Sequence, residues 1–155
     1  MNEAVVAGSL VVAAFNLLAA AVGAAAWYSG ADAASQTVRA FWVLLRVGQG
    51  AALTLAIAVG SLAAAGKDAS DELFYLYALL PLAVAFVAEQ LRAVSAQAVL
   101  DQRGLEDAAA VGALPGGEQR ALVGMILRRE AGVMALSAVV VAFLAVRAAG
   151  TAHGF

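Results

Sequence analysis

The sequence predicts an all-α membrane protein, a polytopic integral membrane domain folded as a four-transmembrane-helix bundle. Three observations predict it. Of 155 residues, 64% are hydrophobic and only 13% are charged, about half the charge that a soluble domain uses to cover its surface. The mean hydropathy is +0.89. Four apolar stretches are each at least as long as the roughly 20 residues a bilayer requires, and polar, glycine-containing segments separate them.

The first span is expected over residues 4–28, closing on Trp27 and Tyr28 at headgroup depth. A cleaved signal peptide is the rival for this segment. However, MNEAVV carries no basic residue and the apolar run exceeds a usual signal core, so a retained helix is expected. The turn YSGADAASQT leads to a second span over 38–65, which stops before the charged loop GKDASDE. The third is expected over 72–100 with a kink near Pro81, because proline lacks the N–H that a helix interior needs. DQRGLEDAAAVGALPGGE is the longest connection, and the fourth span follows over 119–148. The whole chain, 1–155, reads as a single four-helix membrane domain.

Composition narrows function by exclusion. A net charge of -2 does not suggest nucleic acid. With no cysteine, disulfides and thiolate chemistry are ruled out. The single histidine, His153, lies near the C-terminus, which excludes bis-His haem and His-rich metal sites, and no cofactor or metal is expected. Nucleophilic triads lack a base near Ser9, Ser61, Ser95 or Ser137, and LPGGEQR lacks the strand and Lys-Ser/Thr pair of a phosphate loop. No catalytic residue is assigned. The excess of arginine over lysine and the abundance of alanine fit a GC-rich bacterial genome.

With four spans, both termini and the Lys67 loop share one side. Lys67 and Arg147 are the basic residues there, against seven arginines towards the other. The positive-inside rule then places the arginine-rich side in the cytoplasm and both termini outside, in a bacterial inner membrane.

Six charges interrupt three of the apolar runs: Arg46, Glu89 with Arg92, and Arg128, Arg129 with Glu130. Charge within a span marks a functional site by default. Arg46 and Glu89 stand 19 and 17 positions from the expected outer ends of their helices, and Arg128 and Glu130 stand 19 and 17. At 1.5 Å per residue, all lie roughly 26–29 Å inward, at the cytoplasmic edge of a core of about 30 Å. Four positive and two negative charges leave an excess of two positives after pairing. Gln49 and Gln90 add hydrogen-bonding capacity.

Arginine grips carboxylates and phosphates with a bidentate fork. The expected ligand site is therefore Arg46, Gln49, Glu89, Gln90, Arg92, Arg128, Arg129 and Glu130, holding an anionic lipid headgroup or amphipathic anion. The alternative for the same residues is an interhelical salt-bridge network whose arginines reach headgroups. Three function classes stay open: a binding or scaffold protein, a small oligomeric transporter or channel gated by the cluster, and a membrane enzyme using Glu89 or Glu130. Expected partners are membrane lipids, with a homo-oligomer or larger membrane complex open, and no nucleic acid.

Other features read as packing or surface. Ser9, Ala13, Asn16, Ala20 and Gly23 form a small-residue stripe at helical spacing, and Gly48, Ala52 and Ala56 form a second that suits the bundle or a homo-oligomer. Tyr75 and Tyr77 read as an aromatic belt, and Phe41 and Trp42 as interfacial anchors. Asp32, Asp68, Asp71, Glu106 and Asp107 read as solvated loop charges.

Overall fold

A computed structural model describes residues 2–30, 32, 34–67, 69–105 and 108–153. Asp68, Glu106 and Asp107 lie outside them. The described chain is all helical: α1 (Asn2–Ser29), α2 (Gln36–Ala64), α3 (Leu73–Gln102), α4 (Ala108–Gly112) and α5 (Gly116–Thr151). All but α4 are long and apolar enough to cross a membrane.

Local chemistry fixes the helix ends. Ser35 caps α2 by accepting the Val38 N–H on its hydroxyl at 3.2 Å. Ser35→Ala is expected to cost about 1 kcal/mol, the usual worth of such a cap, read as a lower midpoint in thermal unfolding. At the other end of α2, Gly66 takes φ 72°. Its N–H reaches the Ala63 carbonyl at 3.0 Å, and the Lys67 N–H reaches that of Leu62 at 3.0 Å. This Schellman arrangement needs a left-handed residue, which glycine adopts without penalty. Gly104, at φ 65°, ends α3 in the same way, with Gly104 and Leu105 bonding back to Asp101 and Leu100.

The third helix therefore extends two residues beyond Leu100 and carries Arg103 as its C-cap residue. Pro81 lies inside it, buried, and the helix is unbroken from Leu73 to Gln102. Neighbouring helices make proline tolerable in a span. Within the long connection, the Gln119 amide fastens α4 to the start of α5 by donating to the Gly112 and Leu114 carbonyls at 3.0 and 2.8 Å.

In the bundle, α1 packs against α2 and α5, and α5 against α3. The α2–α3 seam is the least extensive of these interfaces. Small residues make the close contacts. All five members of the α1 stripe are buried, as are Gly48, Ala52 and Ala56 on α2. The buried Ser9 hydroxyl and Asn16 amide donate to the carbonyls four residues back, Val5 and Val12, each at 2.9 Å. In hydrocarbon a polar side chain must find such a partner. Phe41, Leu45 and Met134 fill one part of the core, and Phe74, Val59 and Ala148 fill another. Leu17, Leu18, Ile57, Phe86, Leu136 and Phe143 point outward, where lipid is the solvent.

The start of α1, the end of α5 and the α2–α3 connection share one end of the bundle. The Ser70 N–H and hydroxyl both donate to the His153 carbonyl, at 2.9 and 3.0 Å. Tyr75 accepts the Ala69 N–H at 3.0 Å, and the Arg147 guanidinium lies 5.4 Å from the Tyr77 ring. Tyr75 thus holds the connection, and Tyr77 meets α5 at that end.

Candidate functional site

The six charges do not gather at one point; the helices sort them into two places. The first is the α2–α3 seam. Trp42, Arg46 and Gln49 recur at helical spacing on α2, and Glu89 and Arg92 stand at i, i+3 on α3, so each set shares a face. Arg46 Nη1 donates to Glu89 Oε1 at 2.5 Å and to Gln49 Oε1 at 2.7 Å. Gln49 Nε2 adds a longer bond to Glu89 Oε1 at 3.3 Å. On the other carboxylate oxygen, Oε2, Arg92 Nε sits at 3.1 Å.

Glu89 is thus the hub, with both oxygens engaged and an arginine on each. The Trp42 ring completes the group, 6.0 Å from the Arg46 guanidinium and 5.3 Å from that of Arg92. Both distances fall within the reach of cation–π attraction. Glu130, half-buried on α5, forms no ion pair of its own among the described residues and has Arg92 and Glu89 as its charged neighbours. Counting it, two carboxylates and two guanidiniums balance. Gln90 is exposed and takes no part.

Arg46 also sits deeper along its helix than the count from outer ends suggests. Gly48 packs on Asn16, so closely that a Cβ there would lie 2.7 Å from Asn16 Nδ2. Asn16 stands midway along α1, whose one charged residue is Glu3. Arg46 is two residues from Gly48, about 3 Å along the axis. A helical side chain leans towards its own N-terminus, so Arg46 leans away from the bundle middle to meet Glu89. The end-counting assumed upright helices ending level, whereas α5 alone runs 36 residues.

The second place lies between the C-terminal ends of α1 and α3 and the N-terminal part of α5. A cavity of about 310 Å³ is lined by Val99, Gln102 and Arg103 of α3, by Met125, Arg128 and Arg129 of α5, and by Trp27. The Arg128 guanidinium lies 5.3 Å from the Trp27 ring. Among the described residues, Arg103 Nη2 has only the Met125 sulfur, at 3.9 Å, a weak acceptor. No carboxylate among the described residues lines the cavity or pairs with Arg103, Arg128 or Arg129.

Sequence reading had not placed Arg103, Gln102 or Trp27 at this site. The signal for Arg103 was Gly104, whose C-terminal motif carries α3 far enough to bring the side chain to α5. Chemically, the seam is a paired network that joins two lightly packed helices. The cavity is lined by three arginines with no acid beside them among the described residues. Comparison of the chain with family models, with curated proteins and with solved structures found no match.

Proposed function

We propose that this chain is a membrane binding protein that holds the phosphate-bearing headgroup of an anionic amphiphile in the cavity between Arg103, Arg128 and Arg129. The cavity carries this reading: three arginines line it, with no carboxylate among its described lining residues. An anionic guest supplies the missing acceptors, and hydrogen bonds to charged groups are each worth about 1.5–3 kcal/mol. Trp27 supports it from the side, since indole favours the depth where headgroups begin. Under the positive-inside rule this end of the bundle faces the cytoplasm, so the guest belongs to the inner leaflet of a bacterial inner membrane.

Within this reading the seam has a different duty. Arg46 gives its donors to Glu89 and Gln49 and holds α2 against α3, leaving ligand binding to the cavity.

Native mass spectrometry of the purified chain tests the division. Replacing Arg128 and Arg129 with alanine is expected to lower retained anionic lipid at least about tenfold, from the loss of two charge-assisted contacts. Arg46→Ala is expected to keep it. Unchanged retention in the double variant sinks the proposal. Loss in Arg46→Ala alone moves the site back to the seam.

A further inference from the structure

We propose that the guest has two acyl chains and that they straddle α5, one on each side of Leu136; this rests on the anion reading of the arginine cavity. Two apolar grooves of about 440 Å³ each flank α5. One lies against α1, floored by Gly132 and Ala135 and walled by Ala24. The other lies against α3, where Ala83 and Ala88 leave room beside Val133 and Val140. Leu136 borders both, with 67% of its surface exposed, and so forms the ridge between them.

Helical spacing ties each groove to one arginine. Positions 128, 132, 135 and 139 fall in one row on α5, and positions 129, 133, 136 and 140 in the next. Arg128 heads the row of the α1 groove, and Arg129 heads the row of the α3 groove. Trp27 lines both the arginine cavity and the α1 groove, so charged and apolar spaces adjoin. From residue 132 to 139 each groove runs about 10 Å along the axis. Two adjacent arginines at the heads of two parallel apolar grooves match one phosphate carrying two chains. A free phosphate leaves both channels unused, and a single-chain anion leaves one.

The test compares three probes on the full-length chain in detergent: phosphatidylglycerol, its single-chain lyso form, and inorganic phosphate. Retention by native mass spectrometry is expected to favour the two-chain lipid over the lyso form at least about tenfold, with inorganic phosphate weakest. Ala24→Phe and Ala83→Phe each fill one groove from an exposed position, and either is expected to bring the two-chain lipid down to the lyso level. The wild-type preference needs no variant and stands even if a filled variant does not assemble. Equal retention of the two lipids, unaltered by filling, overturns the two-chain inference. If Arg128→Ala with Arg129→Ala still lowers both lipids, the anion reading survives that result. If retention ignores the arginines as well, both readings fall.

Discussion

Glu89→Leu is expected to be the most damaging single change in the seam, costing about 2 kcal/mol of stability, within the range for breaking charge pairs after allowance for partial exposure. The hub geometry gives the reason. Both arginines rely on this one carboxylate, Arg46 on Oε1 and Arg92 on Oε2. Without it, two guanidiniums remain in apolar surroundings, where each unpaired charge is costly. Arg46→Leu removes one spoke and leaves Glu89 paired with Arg92. Its expected cost is smaller, about 1 kcal/mol, because the Arg92 pair with Glu89 survives and no unpaired guanidinium is left behind.

Replacing Arg46 and Glu89 together with leucine leaves Arg92 and Glu130, one charge of each sign, and is expected to recover most of the Glu89→Leu loss, since an ion pair in apolar surroundings often gives way to apolar residues at little cost. Reversible unfolding in mixed micelles, run as a mutant cycle, measures all three. The hub account fails if Glu89→Leu costs no more than Arg46→Leu.

Much of the fold was legible because a bilayer leaves few choices. A run of over 20 apolar residues must satisfy its own backbone, and a helix does so. The ends were legible wherever glycine could take a left-handed conformation, as Gly66 does. The small-residue stripes were legible because periodicity alone names a face, and Ser9, Ala13, Asn16, Ala20 and Gly23 are all buried on it.

The site was legible only in part, and the boundary is physical. Residues on one helix have a fixed relation, so Glu89 with Arg92 and Arg46 with Gln49 follow from spacing. Relations between helices depend on axial offset and rotation, which spacing on either helix does not carry. Arg128 and Glu130 are two positions apart and therefore point different ways, one to Trp27 and the other towards the field of Arg92 and Glu89. Nothing in MILRREAGVM decides which residue takes which direction. A formal excess of two positives was visible in the sum of charges. That Glu89 and Glu130 gather at the seam while Arg103 lines a cavity elsewhere with Arg128 and Arg129 was not.

Gly23→Val is expected to be the most damaging change in the core, at about 3 kcal/mol or more, the upper range for overpacking. Gly23 lies where α1, α2 and α5 meet in close contact. A single Cβ there would lie 2.5 Å from Phe41 Cε2, 2.8 Å from Phe41 Cδ2 and 3.0 Å from the Ala135 Cβ. Phe41 is 0% exposed, so its ring has no free side to swing towards. Relief requires the backbones to separate, and in hydrocarbon that separation forfeits the close packing that holds helices together. Even Gly23→Ala is expected to destabilise, by about 1–2 kcal/mol, against the usual helical preference for alanine. Gly50 is the internal control: it lies in α2 with open space around it, so Gly50→Ala is expected to stabilise by about 0.5–1 kcal/mol. Unfolding midpoints of the two alanine variants should therefore move in opposite directions. If both rise, the α1–α2–α5 junction has slack, and the close approach at Gly23 does not hold the bundle together.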